Sequence, residues 1–254
     1  MIFEVGNDRY KVFLFEWRDF FQNLFNAFRK PEFHLHWNGS EKLETKFGTY
    51  AVRRGTQDVT VVSPAFERLD MNRMLMTVDQ MAAEGRFLFV DIGSNIGRYA
   101  VAVAKRMSAQ ADVHVFEPDP TNLELLRQNL SFVEAHVHAV GLSESPGQAN
   151  LLVNKNRPWD QEIGEIGRSI ILDTLDQCLG NYALDRVVIK MDVDGHELSV
   201  LKGGRKTFSR IGHAVLLIED VIQRDVLYKA LTDIGFRPVC KLTPYNSWWE
   251  LGPR

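Results

Sequence analysis

The chain has 254 residues, 45% hydrophobic and 25% charged, with a formal net charge of -3. That balance suits a soluble globular domain with an appendage, and it provides neither a basic footprint for nucleic acid nor the ~18 apolar residues of a membrane span. Cys178 and Cys240 make no disulfide framework and no zinc spacing, and the start "MIFEVGNDRYK" lacks signal-peptide order, so the expected location is the reducing cytoplasm.

Residues 1–64 have one texture. "VFLFEWRDFFQNLFNAF" (12–28) places Phe13, Trp17, Phe20, Leu24 and Phe28 at helical spacing. Such an aromatic helix is expected to pack onto the domain or onto a second copy, as a homo-oligomer. "FHLHWNGSEKLETKF" (33–47) alternates on both sides of Asn38-Gly39, a hairpin signal, and sets His34 and His36 on one face. "TYAVRR" and "DVTVVS" read as two more short strands. The expectation is a helix and a small antiparallel β-layer.

From residue 65 to 254 strands and helices alternate. A helix (66–84) leads to strand "RFLFVDIG" (86–93), then a helix (96–107) with Ile96, Ala100, Val103 and Met107 on one face. After strand "DVHVFE", Asp119 is a good N-cap with Pro120 at the first helical position. Leu123, Leu126 and Leu130 line that helix. Strand "AHVHAV" carries His136 and His138 on one face, a pair with no third metal ligand in view and read as exposed surface. An insertion (144–172) follows; its stretch 154–167 reads equally as a lid over an acceptor or as an inert loop. Strand "RVVIKMD", helix 196–209, strand "HAVLLIE" (213–219) and helix 222–234 come next. "FRPVCKL" and "SWWEL" would close the sheet as an antiparallel pair, with Trp248 and Trp249 packing an edge strand. Such repeats predict an α/β fold: a doubly wound, mostly parallel sheet covered on both faces, with ligands at the carboxyl ends of its strands.

Two stretches lie at such ends. In "VDIGSNIGRY" (90–99), Asp91 ends a strand and Gly93 and Gly97 bracket a turn into a helix. Glu117 ends the next strand, about the 20-residue interval at which an acid reaches a ribose diol. A dinucleotide site wants G-x-G-x-x-G, yet Asn95 takes the middle position. Asp91 would repel a phosphate and suits an ammonium. A nucleoside with a cationic centre and an amino-acid tail is S-adenosylmethionine. The bland alternative is a glycine turn that only packs. An NAD(P)-dependent Rossmann-type oxidoreductase and a non-catalytic scaffold are the rival functions.

In "VVIKMDVDGHELSVLKGG" (187–204), Asp192, Asp194, His196 and Glu197 surround Gly195. Asp192 ends a central strand and belongs beside the ligand. His196 is the best candidate base, with Asp192 or Glu197 to orient it. The bland reading makes these residues caps and first-turn charge of the following helix. A magnesium held by Asp192, Glu219 and Asp220 is a further version, with Glu219 bonded to loop backbone or substrate as the competing one and no metal as the expectation.

"FVDIGSNIGRYAV", "VFEPDPTNLELLRQNL", "TLDQCL" and "VIKMDVDGHELSVLKGG" together resemble the FkbM family of S-adenosylmethionine-dependent methyltransferases, over about residues 66–220. The family signature reads much like K-I-D-V-E-G-H-E-x-x-V-L-K-G; this chain has Met191 for Ile and Asp194 for Glu. The resemblance implies the class I methyltransferase fold, S-adenosylmethionine as cofactor, and O-methylation of a small hydroxyl acceptor such as a sugar, glycolipid or polyketide. It implies Asp91, Gly93, Ser94, Asn95 and Gly97 as the first cofactor loop and Glu117 on the ribose. Pro118 and Asp119 would lie near the adenine, and the backbone from Gly141 to Ser143 would form a wall there. Asp192 would sit beside the methionine moiety or the acceptor.

Overall fold

The structure is a computed structural model that describes residues 41–53, 56, 58–64, 66–153, 161–164 and 167–252. The expected helix 12–28, the strand holding His34 and His36 and the Asn38-Gly39 turn lie outside the described residues. Two compact units divide between Arg68 and Leu69.

The first unit carries an antiparallel hairpin of β1 (Lys42–Thr45) and β2 (Gly48–Ala51). Thr45 Oγ1 closes its turn, accepting from the amides of Phe47 and Gly48. "DVTVVS" is not a strand. Its residues form α1 (Asp58–Val62). Val59 and Val62 are both fully buried; three apart, they share a helix face but would point to opposite sides of a strand. Asp58 in the first turn holds the amide and the guanidinium of Arg53 at 2.8 Å. Burial and this clasp override the β propensity of the valines.

The second unit opens within α2 (Arg68–Ala83), at Leu69, and runs through β3 (Phe87–Ile92), α3 (Arg98–Met107), β4 (Ala111–Phe116), α4 (Pro120–Asn129) and β5 (Ala135–His138). The inserted segment holds β6 (Gly141–Leu142), β7 (Gly147–Val153), β8 (Gln161–Gly164) and β9 (Arg168–Asp173). Then come α5 (Leu175–Cys178), β10 (Arg186–Met191), α6 (Glu197–Gly203), α7 (Arg205–Arg210), β11 (His213–Glu219), α8 (Arg224–Ile234), β12 (Arg237–Cys240) and β13 (Asn246–Leu251). The expected helix 196–209 is thus two short helices that meet at Gly204.

The main sheet has the order β12-β13-β11-β10-β3-β4-β5. β13 runs antiparallel to both its neighbours, β11 and β12, and the other pairings of the sheet are parallel. From β3 the chain winds to β4 and β5 on one side and then returns to β10 and β11 on the other. The order therefore reverses between β3 and β10, and a crevice opens beyond the carboxyl ends of those two strands. Every residue of β3 is buried, as an apolar strand covered on both faces must be.

The insertion, to which the sequence reading assigned no strands, builds with β6 a second sheet in the order β6-β9-β7-β8. Ile170 and Leu151 turn inward from β9 and β7 and are buried. Their alternation is interrupted by the glycine- and acid-rich stretch 154–167, which masked the strands on either side.

Trp248 and Trp249 are not edge residues. β13 lies one strand in from the edge, and both indoles are fully buried. Trp248 Nε1 donates to Asp70 Oδ1 at 2.7 Å; Asn246 Nδ2 and Thr243 Oγ1 donate to its other oxygen at 3.1 and 2.8 Å. Asp70 is itself fully buried, so α2 is bolted to β13 by one carboxylate. Asp70→Ala strands these donors in the core and is expected to lower stability by about 3 kcal/mol. A urea titration measures this; a midpoint like that of the wild type would contradict it.

Candidate active site

The carboxyl end of β3 turns sharply. Gly93, Asn95 and Gly97 all have positive φ, at 74°, 52° and 91°. The amides of Gly93 and Ser94 both donate to Phe116 O at 3.0 Å. Ser94 Oγ donates to Asp91 O at 2.7 Å and accepts from the Phe116 amide at 3.2 Å. The turn is therefore fastened to the end of β4, which delivers Glu117 to the same place.

Glu117 closes on the turn. Its Oε2 accepts from the Asn95 amide at 2.8 Å. Its Oε1 accepts from the Asp119 amide at 2.8 Å and from Asn122 Nδ2 at 3.4 Å. Burial outweighs these donors and pushes the carboxyl up to about 7. Pro118 follows, half-buried, facing Gly141 across the start of β6. Asp119 is the N-cap of α4, as its sequence context predicted: one oxygen takes the amide and the hydroxyl of Thr121, both at 2.7 Å. The same oxygen receives Arg168 Nη1 at 2.6 Å, which ties the inserted sheet to this corner.

Asp91 lies on β3 beside Lys190 on β10, its partner in the parallel register. Asp91 Oδ2 accepts from the Ala100 amide at 3.2 Å, while Oδ1 is buried without a hydrogen-bond partner. Burial pushes this carboxyl up to about 6, against the nearby Lys190 charge. Lys190 Nζ stands 4.0 Å from Asp91 Oδ1 and 3.2 Å from Asp192 Oδ2, and donates to Gly93 O at 3.1 Å. It is a buried cation at the crossing of the two stretches, and sequence reasoning gave it no role. Its signal was an isolated lysine inside an apolar strand, two positions before Asp192.

The loop after β10 is arranged by Glu197. Its Oε1 accepts from the amides of Val193 and Gly195, at 3.0 and 3.3 Å, and burial raises its pKa against those bonds. The expected pairing of His196 with Asp192 or Glu197 is absent: Asp192 turns to Lys190 and Glu197 turns back to its own loop. His196 instead places Nε2 3.4 Å from Ser143 Oγ. Burial lowers its pKa, so the ring is neutral near pH 7. Ser143, which the resemblance set near the adenine, thus stands beside the histidine.

The magnesium trio also changes. Asp220 is fully buried and faces away from the crevice, where it holds Tyr228 Oη at 2.5 Å together with Lys241 and Arg224. Asp194 takes its place, and carboxylate oxygens of Asp192, Asp194 and Glu219 lie within 4.8 Å of one another. Burial and the charges of Asp192, Asp194 and Glu197 push Glu219 up to about 9, so it carries a proton at neutral pH and can donate a hydrogen bond.

One cradle thus combines a tight turn, an orphaned buried carboxylate oxygen at Asp91 and an acid at the end of the next strand. These groups fit a nucleoside with a cationic amino-acid tail: Asp91 Oδ1 lacks a donor, which an ammonium supplies, and Glu117 offers acceptors for a diol.

Residues 91–225 match the family described as "Methyltransferase FkbM domain". The hexuronic acid methyltransferase AglP of Haloferax volcanii is 29% identical over 150 residues, which cover 56% of this chain and 60% of that protein. The methyltransferase sdnD of Sordaria araneosa is 30% identical over 153 residues, covering 45% of this chain and 59% of that one. The chain spans about six-tenths of the length of these relatives. Among solved structures, the PH0226 protein of Pyrococcus horikoshii OT3 aligns with a TM-score of 0.46 at 10% identity, over 76% of this chain and 93% of that one. The matched segment runs from Asp91 past Glu219, through the glycine turn, Glu117 and the acidic loop, and the chain belongs to the FkbM family of S-adenosylmethionine-dependent methyltransferases.

Proposed function

We propose that the chain transfers a methyl group from S-adenosylmethionine to a hydroxyl of a small, sugar-containing metabolite. The observation that carries this reading is the bond from the Asn95 amide to Glu117, which makes the glycine turn and the acid one cradle. The bound cofactor supplies a strongly electrophilic methyl group. The protein's work is alignment and proton transfer.

In this reading Glu117 receives the ribose hydroxyls and Asp91 the ammonium group. Ser94 and Lys190 hold the turn in shape, with Gly93 and Gly97 as its hinges. Pro118, Asp119 and the backbone from Gly141 to Ser143 line the base. Asp192 and Glu219 face the acceptor. His196 takes the hydroxyl proton at Nδ1 while its Nε2 faces Ser143 Oγ, and Glu197 keeps its loop in place. The Haloferax relative, named for a hexuronic acid, supports an acceptor that contains a sugar. Residues 1–64 enter the reading as an appendage, and a homo-oligomer is part of the proposal. No described helix is long and apolar enough to cross a membrane; a cytoplasmic location is part of the proposal.

A mass-shift screen of glycosylated acceptors with S-adenosylmethionine tests the reaction; methylation at oxygen is the expected product. His196→Ala should slow turnover on the order of 100-fold while S-adenosylhomocysteine affinity stays within about twofold. An unchanged rate would remove His196 as the base.

A further inference from the structure

We propose that Ser143 is the positioning residue of the base: its Oγ accepts a hydrogen bond from His196 Nε2–H and so leaves the Nδ1 lone pair for the acceptor hydroxyl. The inference rests on the reading of His196 as the base. A neutral imidazole carries one proton, and the partner of one ring nitrogen decides the state of the other. Such a partner also holds the ring in its plane, as the third group of a nucleophile–base–orienter arrangement does.

Sequence spacing offered Asp192 or Glu197 for this work. Asp192 is engaged by Lys190 at 3.2 Å, and Glu197 by the amides of Val193 and Gly195. Among the described residues the ring instead meets Ser143 Oγ, 3.4 Å from Nε2. A hydroxyl oxygen has lone pairs to receive Nε2–H. The separation is at the long end for such a bond, so its persistence depends on how firmly the two backbones are held together.

They are keyed to each other. His196 is the N-cap of α6 and Gly203 is its last residue. About two turns apart, they lie on one face of the helix. Gly203 approaches the backbone of Ser143 so closely that a Cβ there would fall 2.0 Å from Ser143 O and 3.2 Å from Glu144 Cα. A glycine lets the helix come this near. Beside it, Lys202 Nζ pairs with Glu144 Oε2 at 3.1 Å. On the other side the Ser143 amide donates to Asp173 O at 2.8 Å, which prolongs the pairing of β6 with β9. Ser143 is thus pinned between α6 and the second sheet, and it is buried, whereas His196 is half-buried and can reach a ligand. The second sheet therefore takes part in catalysis: α6 carries the base, and the residue after β6 orients it.

The test is a long-range proton–nitrogen spectrum of the full chain with isotope-labelled histidines and bound S-adenosylhomocysteine. His196 is assigned by the signal that vanishes in His196→Ala. The neutral ring should carry its proton on Nε2, with exchange against water slowed. Ser143→Ala keeps the backbone, so the chain should fold and bind S-adenosylhomocysteine within about twofold of wild type. Its slowed Nε2–H signal should be lost, and kcat on a methyl hexuronoside should fall about tenfold with KM little changed. Ser143→Thr keeps the hydroxyl and should restore both. A wild-type ring protonated on Nδ1 would overturn the assignment. An Nε2–H signal and a kcat indifferent to Ser143→Ala, with His196→Ala still slow, would overturn it and leave the base reading standing. A wild-type rate in His196→Ala would remove the base and this assignment with it.

Discussion

Gly93→Ala should abolish S-adenosylhomocysteine binding and destabilise the fold by about 3 kcal/mol or more. The backbone at Gly93 has φ 74°, a left-handed conformation that costs an L-residue roughly 1–2 kcal/mol. A Cβ there would also lie 1.8 Å from Asp192 O and 2.9 Å from its carbonyl carbon. Those atoms are backbone and have little room to yield, because the Asp192 amide is bonded to Ile92 O at 3.0 Å across the β3–β10 junction. Relief of the clash therefore means parting the two strands whose ends define the crevice. Gly97→Ala is the milder comparison. Its φ is 91°, but its Cβ meets the tip of the Leu126 side chain at 2.8 Å, which can rotate aside. Calorimetric titration and a urea melt of the two variants measure the difference. Near-wild-type affinity in Gly93→Ala would show that the turn does not grip the cofactor.

Glu117→Ala should weaken S-adenosylhomocysteine binding at least tenfold, the loss of a charged hydrogen-bonding group. The wild-type affinity should also depend on pH. Burial pushes the free carboxyl up to about 7 from 4.5, whereas a ribose diol bonds best to the ionised form. Affinity should therefore rise between about pH 6 and 8. Stability of the free protein runs the other way. The folded pKa lies above the unfolded one, so the folded chain keeps a proton that the unfolded chain has lost. The stability contributed by this group is full below about 4.5 and is lost as pH rises through about 7. Asp91, raised from 3.8 to about 6, adds to the same slope at slightly lower pH. Glu117→Gln keeps the shape without the titration and should flatten both profiles. Glu117→Ala that binds like wild type, or an affinity that ignores pH, would refute the ribose assignment.

The doubly wound, mostly parallel sheet was legible because its strands are buried on both faces and read as apolar runs separated by helical periods. The antiparallel β13 was legible too, from the short strand pair near the end of the chain. The cofactor turn and Glu117 could be read together because strand, turn, helix, strand and acid follow one another locally. What escaped the sequence depends on contacts between distant segments. Lys190 meets Asp91 through strand register, and His114 meets His136 in the same way. Asp220 looked like a crevice acid until Tyr228, Lys241 and Arg224 drew it the other way. α1 read as a strand because valines favour strands, and only the burial of Val59 and Val62 on one face decides for a helix. Glu197, which the sequence offered either as an orienting acid or as first-turn charge, accepts bonds from the amides of its own loop.

The most direct measurement is a crystal structure of the complex with S-adenosylhomocysteine. The two ribose hydroxyls should lie about 3 Å from the Glu117 carboxylate, with the amino group on the Asp91 side of the turn at Gly93. A nucleoside bound elsewhere, or a ribose held by another group while Glu117 stays closed on the Asn95 and Asp119 amides, would contradict the account.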